Sequence, residues 1–247
     1  MPSPFFAYGW VSTPVRMATA TGVTLGFAVM ARALRGVNPS GAVAGGAACF
    51  LLFSGAGPSA FGVLGALFIM TWVATRRGHR RKLSLGLAER RDGRNAWQVL
   101  ANLAVSAVAS VLFGVTGTRV WLVVLVAALA EAACDTVASE IGQSLGANAR
   151  LITTWEVVPA GVDGGISFAG TIAGFAASLV IALVAAAGGL LDRAQLWIPV
   201  AAGFAGMLVD SLLGGTLQRR GWIGNQAVNF FSTVAAAALA YAIATLA

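Results

Sequence analysis

In the stretch Glu131-Ala-Ala-Cys-Asp135-Thr-Val-Ala-Ser139-Glu140, two acids stand four residues apart at the end of a long apolar run. That spacing puts Glu131 and Asp135 on one helical face. Ser139 continues the face, and Glu140 follows it. A second apolar run carries Asp210, with Gly214 and Gln218 at i+4 and i+8. A charge at mid-membrane costs on the order of 2.5–3.5 kcal/mol on insertion scales. Two acidic faces at similar depth on different helices suit a hard divalent cation. Mg²⁺ accepts one or two carboxylates and completes its shell with water and phosphate oxygens. The plainer alternative is that these groups only hydrogen-bond neighbouring helices.

A third polar stripe begins at Arg94. Asn95, Gln98 and Asn102 follow it at i, i+3 and i+7 on an otherwise apolar helix. Helix N-termini favour anions, and an arginine there adds bidentate phosphate contact. The bland version is a snorkelling arginine with amides packed between helices. Asn225, Asn229 and Ser232 form a further polar face at the start of the last apolar run.

Between the acidic faces runs an unusual loop. It contains Arg150-Leu-Ile-Thr153-Thr154-Trp155 and then Gly161-Val-Asp163-Gly164-Gly165-Ile-Ser167, which leads into an apolar helix. A Gly-rich turn at a helix start lets backbone N–H groups approach a phosphate. His79, the only histidine, lies in Arg-Arg-Gly-His-Arg-Arg with no adjacent carboxylate, so neither a general base nor a Ser-His-Asp set is expected.

These residues need elements to hold them, and composition says which. Of 247 residues, 58% are hydrophobic and 10% charged, against about 25% charged in an ordinary soluble domain. Such a chain cannot cover itself with a water-facing surface. A soluble globular enzyme, a disordered chain and a disulfide-rich secreted module are excluded. Cys49 and Cys134 both lie in apolar runs and suggest neither a disulfide framework nor a zinc site. The class is an all-α integral membrane protein, a polytopic bundle of about seven to eight transmembrane helices forming a single domain over 1–247.

Eight spans are predicted, roughly 15–34, 41–56, 58–75, 95–115, 119–138, 164–188, 195–217 and 225–246. The N-terminus shows no basic start followed by a small-residue cleavage site, so the first span is expected to be retained. Basic residues divide sharply between the two sets of loops. One set holds Arg32, Arg35, Arg76, Arg77, Arg80, Arg81, Lys82, Arg90, Arg91, Arg94, Arg150, Arg219 and Arg220; the other holds Arg16, Arg119 and Arg193. The first side is therefore expected to be cytoplasmic, in a cell (inner) membrane, with both termini outside. The longer loops, about 76–94 and 139–163, fall on that side, and the outer connections are short. The basic run from Arg76 to Arg94 reads as a solvated, headgroup-facing loop. The net charge of +7 reads as orientation and lipid attraction, with no nucleic-acid partner. Trp10, Trp72, Trp97, Trp121, Trp155, Trp197 and Trp222 are expected mostly near the interfaces. The stripe Gly41, Gly45 and Gly46 permits a homodimer.

Several segments together resemble one membrane family. They are Gly93-Arg94-Asn95-Ala-Trp-Gln98-Val-Leu-Ala-Asn102, Asp135-Thr-Val-Ala-Ser139-Glu140-Ile-Gly142, Arg150-Leu-Ile-Thr153-Thr154, Gly161-Val-Asp-Gly164-Gly165-Ile-Ser167, Asp210-Ser211-Leu-Leu-Gly214-Gly-Thr-Leu-Gln218 and Asn225 through Ser232. Over roughly residues 15–245 the chain resembles the domain of unknown function 92 / transmembrane protein 19 family, which includes the plant phytyl-phosphate kinases. The resemblance implies a kinase that converts an isoprenyl monophosphate to the diphosphate with CTP as phosphoryl donor. The order of motifs is also similar to that of CTP-using dolichol kinases and CDP-diacylglycerol synthases. Those relatives commonly place lysines in the phosphate loop, whereas Lys82 is the only lysine here.

On that resemblance, Asp135 and Asp210 would hold Mg²⁺, with Glu140 as a further ligand. Arg94, Arg150 and the Gly164–Gly165 backbone would hold phosphates. Asn95, Gln98, Asn225 and Asn229 would orient sugar, base or phosphate. Asn102, Ser139, Thr153, Thr154, Ser167 and Gln218 complete the expected substrate- and nucleotide-binding set. Asp135, Asp210 and Arg94 are the expected catalytic residues. Phosphoryl transfer mostly needs positioning and charge neutralisation, which agrees with the lack of a usable histidine. Two rivals use the same residues: a lipid-phosphate cytidylyltransferase, and a transporter or flippase of a small anion or lipid phosphate.

Overall fold

Helix boundaries follow the turn chemistry of the chain. Asn38 caps the second helix by accepting from Gly41 N at 2.9 Å, and Pro39 occupies its first position. Gly57, with φ 84°, separates that helix from the next, which begins at Pro58. Asn95 and Gln98 form a reciprocal capping box at another helix start, and Ser167 caps a further one by accepting from Gly170 N at 3.1 Å.

A computed structural model describes residues 13–87, 92–145 and 148–246. Trp10, Arg90 and Arg91 lie outside the described residues. The helices are α1 (Thr13–Ala33), α2 (Pro39–Ala56), α3 (Pro58–Arg76), α4 (His79–Ser84), α5 (Ala96–Thr116), α6 (Val120–Leu145), α7 (Phe168–Ala187), α8 (Trp197–Leu213) and α9 (Asn225–Leu246). Seven of the described helical segments are long and apolar enough to cross a membrane. They are α2, α3, α5, α6, α7, α9 and the segment Arg193–Gln218 containing α8. α1 is 21 residues long but is not among them; it carries Arg16, Arg32 and four threonines. The protein is an all-α polytopic membrane protein, as its composition required.

α6 is the axis of the bundle. It packs against α3, α5, α7, α8 and α9, and every residue from Leu122 to Cys134 is buried. Small residues let the neighbours close in, the usual basis of helix association in lipid. A Cβ at Gly203 of α8 would stand 2.9 Å from Glu131 N, and one at Gly174 of α7 would stand 2.7 Å from Cys134 O. α5 also contacts α2 and α9, and α1 lies on α2.

Contacts between loops define two ends. At one end, Asn38 N donates to Arg94 O at 2.9 Å, Arg94 N donates to Gly36 O at 3.1 Å, and Arg76 Nη2 donates to Leu34 O at 2.6 Å. Thr75 and Lys82 reach Glu140 there. At the other end, Ser110 Oγ donates to Leu51 O at 2.9 Å and Arg119 pairs with Asp192 at 3.5 Å. Arg35, Arg76, Lys82, Arg94, Arg150 and Arg219 all belong to the first end.

Both predicted polar loops contain structure. α6 does not stop near 138 but runs to Leu145, so 139–145 is helix rather than loop. The periodicity explains this: Asp135, Ser139 and Gln143 share one face while Val137 and Ile141 pack inward. After it come β1 (Ala149–Leu151), β2 (Val157–Val158) and β3 (Gly165–Ile166), an antiparallel sheet of order β2-β1-β3. Arg150 lies opposite both Val157 and Ile166. The sixth predicted span therefore begins at Phe168, not 164. In the loop at 76–94, α4 brings Lys82 into the protein, where it is 1% exposed. That stretch is not simply a solvated basic loop. The Gly41, Gly45 and Gly46 stripe also points inward. A Cβ at Gly41 would strike the Arg94 carbonyl, and Gly45 and Gly46 face Val99 and Thr24. Gly41 and Gly46 are buried and Gly45 is half-buried.

Candidate functional site

The helix ends at the basic end enclose a chamber of about 300 Å³. Arg94, Gln98 and Asn102 come from the start of α5. Asp135, Ser139 and Gln143 come from the end of α6. α8 contributes Asp210 and Ser211, and a π-helical turn, Gly214–Gln218, continues it and contributes Gln218. α9 contributes Asn225, Gln226 and Asn229, and the segment 160–167 closes one side. π-helical turns recur at functional sites because they re-aim side chains within a helix.

The walls differ in sign. Asp135, Asp210 and Asp163 supply carboxylates. Opposite in character are the N-terminal turns of α5, α7 and α9, whose helix dipoles favour anions, although Ala96 N and Gln98 N of α5 already bond Ser40 Oγ and Asn95 Oδ1 and Gly170 N of α7 bonds Ser167 Oγ. Arg94 stands before α5 and interacts electrostatically with Asp135. Asp163 lies outside the spans. Desolvation pushes its carboxyl above the ordinary range, and the Arg219 guanidinium opposes that rise.

Behind the chamber a buried network fixes the acidic wall. Glu131 is 1% exposed. Ser232 Oγ donates to its Oε1 at 2.7 Å and Thr233 Oγ1 to its Oε2 at 2.8 Å. Ser232 Oγ also lies 3.4 Å from Asp210 Oδ2. Glu131 therefore ties α6 to α9 and reaches Asp210 through one hydroxyl, without lining the chamber itself.

Most of the residues expected from the sequence converge here. Arg94, Gln98, Asn102, Asp135, Ser139, Glu140, Gly164, Gly165, Ser167, Asp210, Gln218, Asn225 and Asn229 all line the chamber. Several have other employment as well. Gln98 accepts from Asn95 N at 2.9 Å, and Ser167 caps α7. The N–H of Gly165 is used on Val162 O at 2.9 Å. Glu140 accepts from Lys82 Nζ at one oxygen and from Thr75 Oγ1 at the other, 3.1 Å away.

Four expected residues stand outside the lining. Asn95 spends its side chain capping α5. Arg150 is turned outward because strand neighbours alternate: Ala149 and Leu151 are buried, and the Arg150 guanidinium donates to Trp155 O at 2.8 Å. Thr153 and Thr154 are exposed in the turn after β1, where Thr154 Oγ1 bonds Glu156 Oε2 at 3.1 Å. Among the described residues, Arg94 is thus the arginine of the lining. Gln143, Asp163, Ser211 and Gln226 are lining residues that sequence reasoning missed. Gln143 is one helical turn beyond Ser139, a signal that a loop boundary set at 139 concealed.

The donor set bears on a metal. Among the described residues no group of three His, Cys, Asp or Glu is arranged to hold an ion. Two carboxylates on facing elements beside amide oxygens still fit Mg²⁺, which keeps several waters and takes its remaining ligands from substrate phosphates.

Comparison with known proteins agrees with this architecture. The family model described as "Integral membrane protein DUF92" matches residues 22–237. The chain is 36% identical over 184 residues to the uncharacterized membrane protein sll0875 of Synechocystis sp., covering 72% of this chain and 71% of that one. It is 30% identical over 226 residues to the uncharacterized membrane protein MJ0933 of Methanocaldococcus jannaschii, covering 91% and 92%. It is 29% identical over 203 residues to Protein VTE6, chloroplastic, of Arabidopsis thaliana, covering 78% of this chain and 61% of the relative. No solved structure matches.

Proposed function

The chain belongs to the integral membrane protein family DUF92, and from that premise we propose that it is a membrane-embedded phosphotransferase. The reading is a CTP-dependent kinase that converts an isoprenyl monophosphate to the diphosphate at the cytoplasmic membrane face. The observation that carries it is the chamber itself, whose lining Asp135 and Asp210 share with the N-terminal turns of three helices and Arg94. Cation-holding and anion-holding groups in one chamber suit a metal-bound polyphosphate. The resemblance to the plant phytyl-phosphate kinases and the similarity to Protein VTE6 support the substrate class. The basic residues gathered at the chamber's end support a cytoplasmic opening.

In this reading an oxygen of the prenyl monophosphate attacks the γ-phosphorus of the nucleotide. The bond from that phosphorus to the β–γ bridging oxygen breaks, and nucleoside diphosphate leaves. The acceptor is already ionised, so no strong general base is needed. His79, on α4, is not part of the chamber lining. Asp135 and Asp210 would hold a divalent cation, which supplies charge neutralisation on the phosphates. Arg94 positions phosphate oxygens. Asn225 and Asn229 orient sugar or base, and Glu131 holds Asp210 in place through Ser232.

The test uses purified protein in detergent with Mg²⁺, CTP and a series of prenyl monophosphates, with products resolved by mass. Prenyl diphosphate and CDP are expected. Pyrophosphate with a CDP-lipid would instead make the protein a cytidylyltransferase working at the same chamber. Absence of turnover with every nucleotide, together with flux in proteoliposomes, would replace the enzyme with a transporter.

A further inference from the structure

A second pocket, of about 110 Å³, adjoins the chamber. It lies among α1, α2, α3 and α5, and its walls are mainly apolar, with Phe27, Leu64, Leu67, Phe68 and Leu103 among them. Arg94, Gln98 and Asn102 belong to both cavities. They form the boundary between a polar space and an apolar one. The pocket's basic end is roofed: Trp72 Nε1 and Arg76 Nη2 both donate to Leu34 O, at 3.2 and 2.6 Å, and Arg76 stacks on Trp72 at 3.9 Å. From Arg76 to Leu64 the lining follows α3 inward for about 18 Å at the helical rise.

We propose that this pocket seats the hydrocarbon tail of the phosphorylated lipid acceptor, with the phosphate at Arg94 facing the chamber. The inference rests on the phosphotransfer reading and names where its lipid substrate lies. An anionic head on an apolar tail is the chemistry that matches one arginine-bordered polar cavity adjoining one apolar cavity. Gly45 and Gly46 support the same occupant. At Gly41 a side chain is forbidden by the Arg94 backbone, but a Cβ at Gly45 would meet only Val99 Cγ1 at 3.7 Å, and one at Gly46 only Thr24 Cγ2 at 3.6 Å and Ala28 Cβ at 3.9 Å. Those are ordinary contacts, so helix packing does not demand glycine at either position. What their missing side chains provide is the space of the pocket. Bilayer lipid is as apolar as the pocket, so burial there adds little affinity. The pocket instead selects tail length and holds the phosphate in register with the chamber.

The experiment is photo-crosslinking of the full-length protein in detergent with a long-chain prenyl monophosphate carrying a diazirine at the tail end, with labelled peptides mapped by mass. Labels competed by unlabelled prenyl monophosphate are expected on α1, α2 or α3. Competable labels confined to α7, α8 or α9, or none at all, overturn the assignment. Turnover of the same probe, measured in parallel, reports separately on the phosphotransfer reading. As a second measurement, Gly45→Leu fills the pocket and is expected to lower kcat/KM for long tails by about tenfold or more, while short-tailed acceptors stay near wild type. Equal loss or equal retention across all lengths overturns the proposal.

Discussion

Lys82, the only lysine of the chain, is buried against Glu140 at the basic end of α6. Its ammonium donates to Glu140 Oε2 and to Thr75 O at 2.6 Å. The pair joins α4, α3 and α6 beside the chamber. Removing one partner of a buried pair leaves the other charge uncompensated, at a cost of about 3–5 kcal/mol. Lys82→Met is therefore expected to lower unfolding stability in detergent by that order, and Lys82→Met combined with Glu140→Leu to recover part of it. A double variant as unstable as the sum of its parts would show that the pair is not coupled.

Asp135→Asn and Asp210→Asn keep side-chain size and remove charge. Each is expected to reduce prenyl diphosphate formation by at least about 100-fold, as when a preorganised electrostatic group is lost. The elution profile should stay that of folded protein. Full activity in either variant, measured by product mass, would remove that residue from the metal role.

Ser232→Ala tests positioning. It leaves Glu131 with one hydroxyl partner and breaks the link to Asp210, at a cost of about 1–3 kcal/mol for the under-satisfied carboxylate. Turnover is expected to fall by less than in Asp210→Asn, and Ser232→Thr to restore part of it. A Ser232→Ala protein with wild-type melting and wild-type kcat would contradict the role given to Glu131.

Gly164 sits at φ 77°, and a Cβ there would collide with the backbone of Gly215 in the π-helical turn. Gly164→Ala is therefore expected to destabilise by more than about 1 kcal/mol and to move the 160–167 segment off the chamber. Gly45→Ala, with room for its methyl, serves as the contrast and should melt near wild type. Comparable melting of the two variants would deny the close approach of Gly164 and Gly215.

Much of this protein was legible from residue type and period. Low charge and long apolar runs require helices in lipid, because backbone polar groups in hydrocarbon must be satisfied within the segment. The spacing of Glu131, Asp135 and Ser139, and of Asp210, Gly214 and Gln218, marks helical faces without any knowledge of neighbours. Only the tertiary structure decided which face meets which. Glu131 and Asp135 share a face, yet α9 covers the first with Ser232 and Thr233 while the second lines the chamber. Arg150 and Arg94 look alike as phosphate binders in sequence. A three-residue strand turns Arg150 outward, whereas backbone bonds to Gly36 and Asn38 hold Arg94 at the chamber's edge. Lys82 reads as one more cation in a basic run until Glu140 buries it. The sequence by itself determined the helices, the basic end and the polar faces, because those depend on local period and on transfer from water. Pairing, burial and the division into a polar chamber and an apolar pocket depend on contacts between residues distant in the chain, so they were decided only when the helices packed.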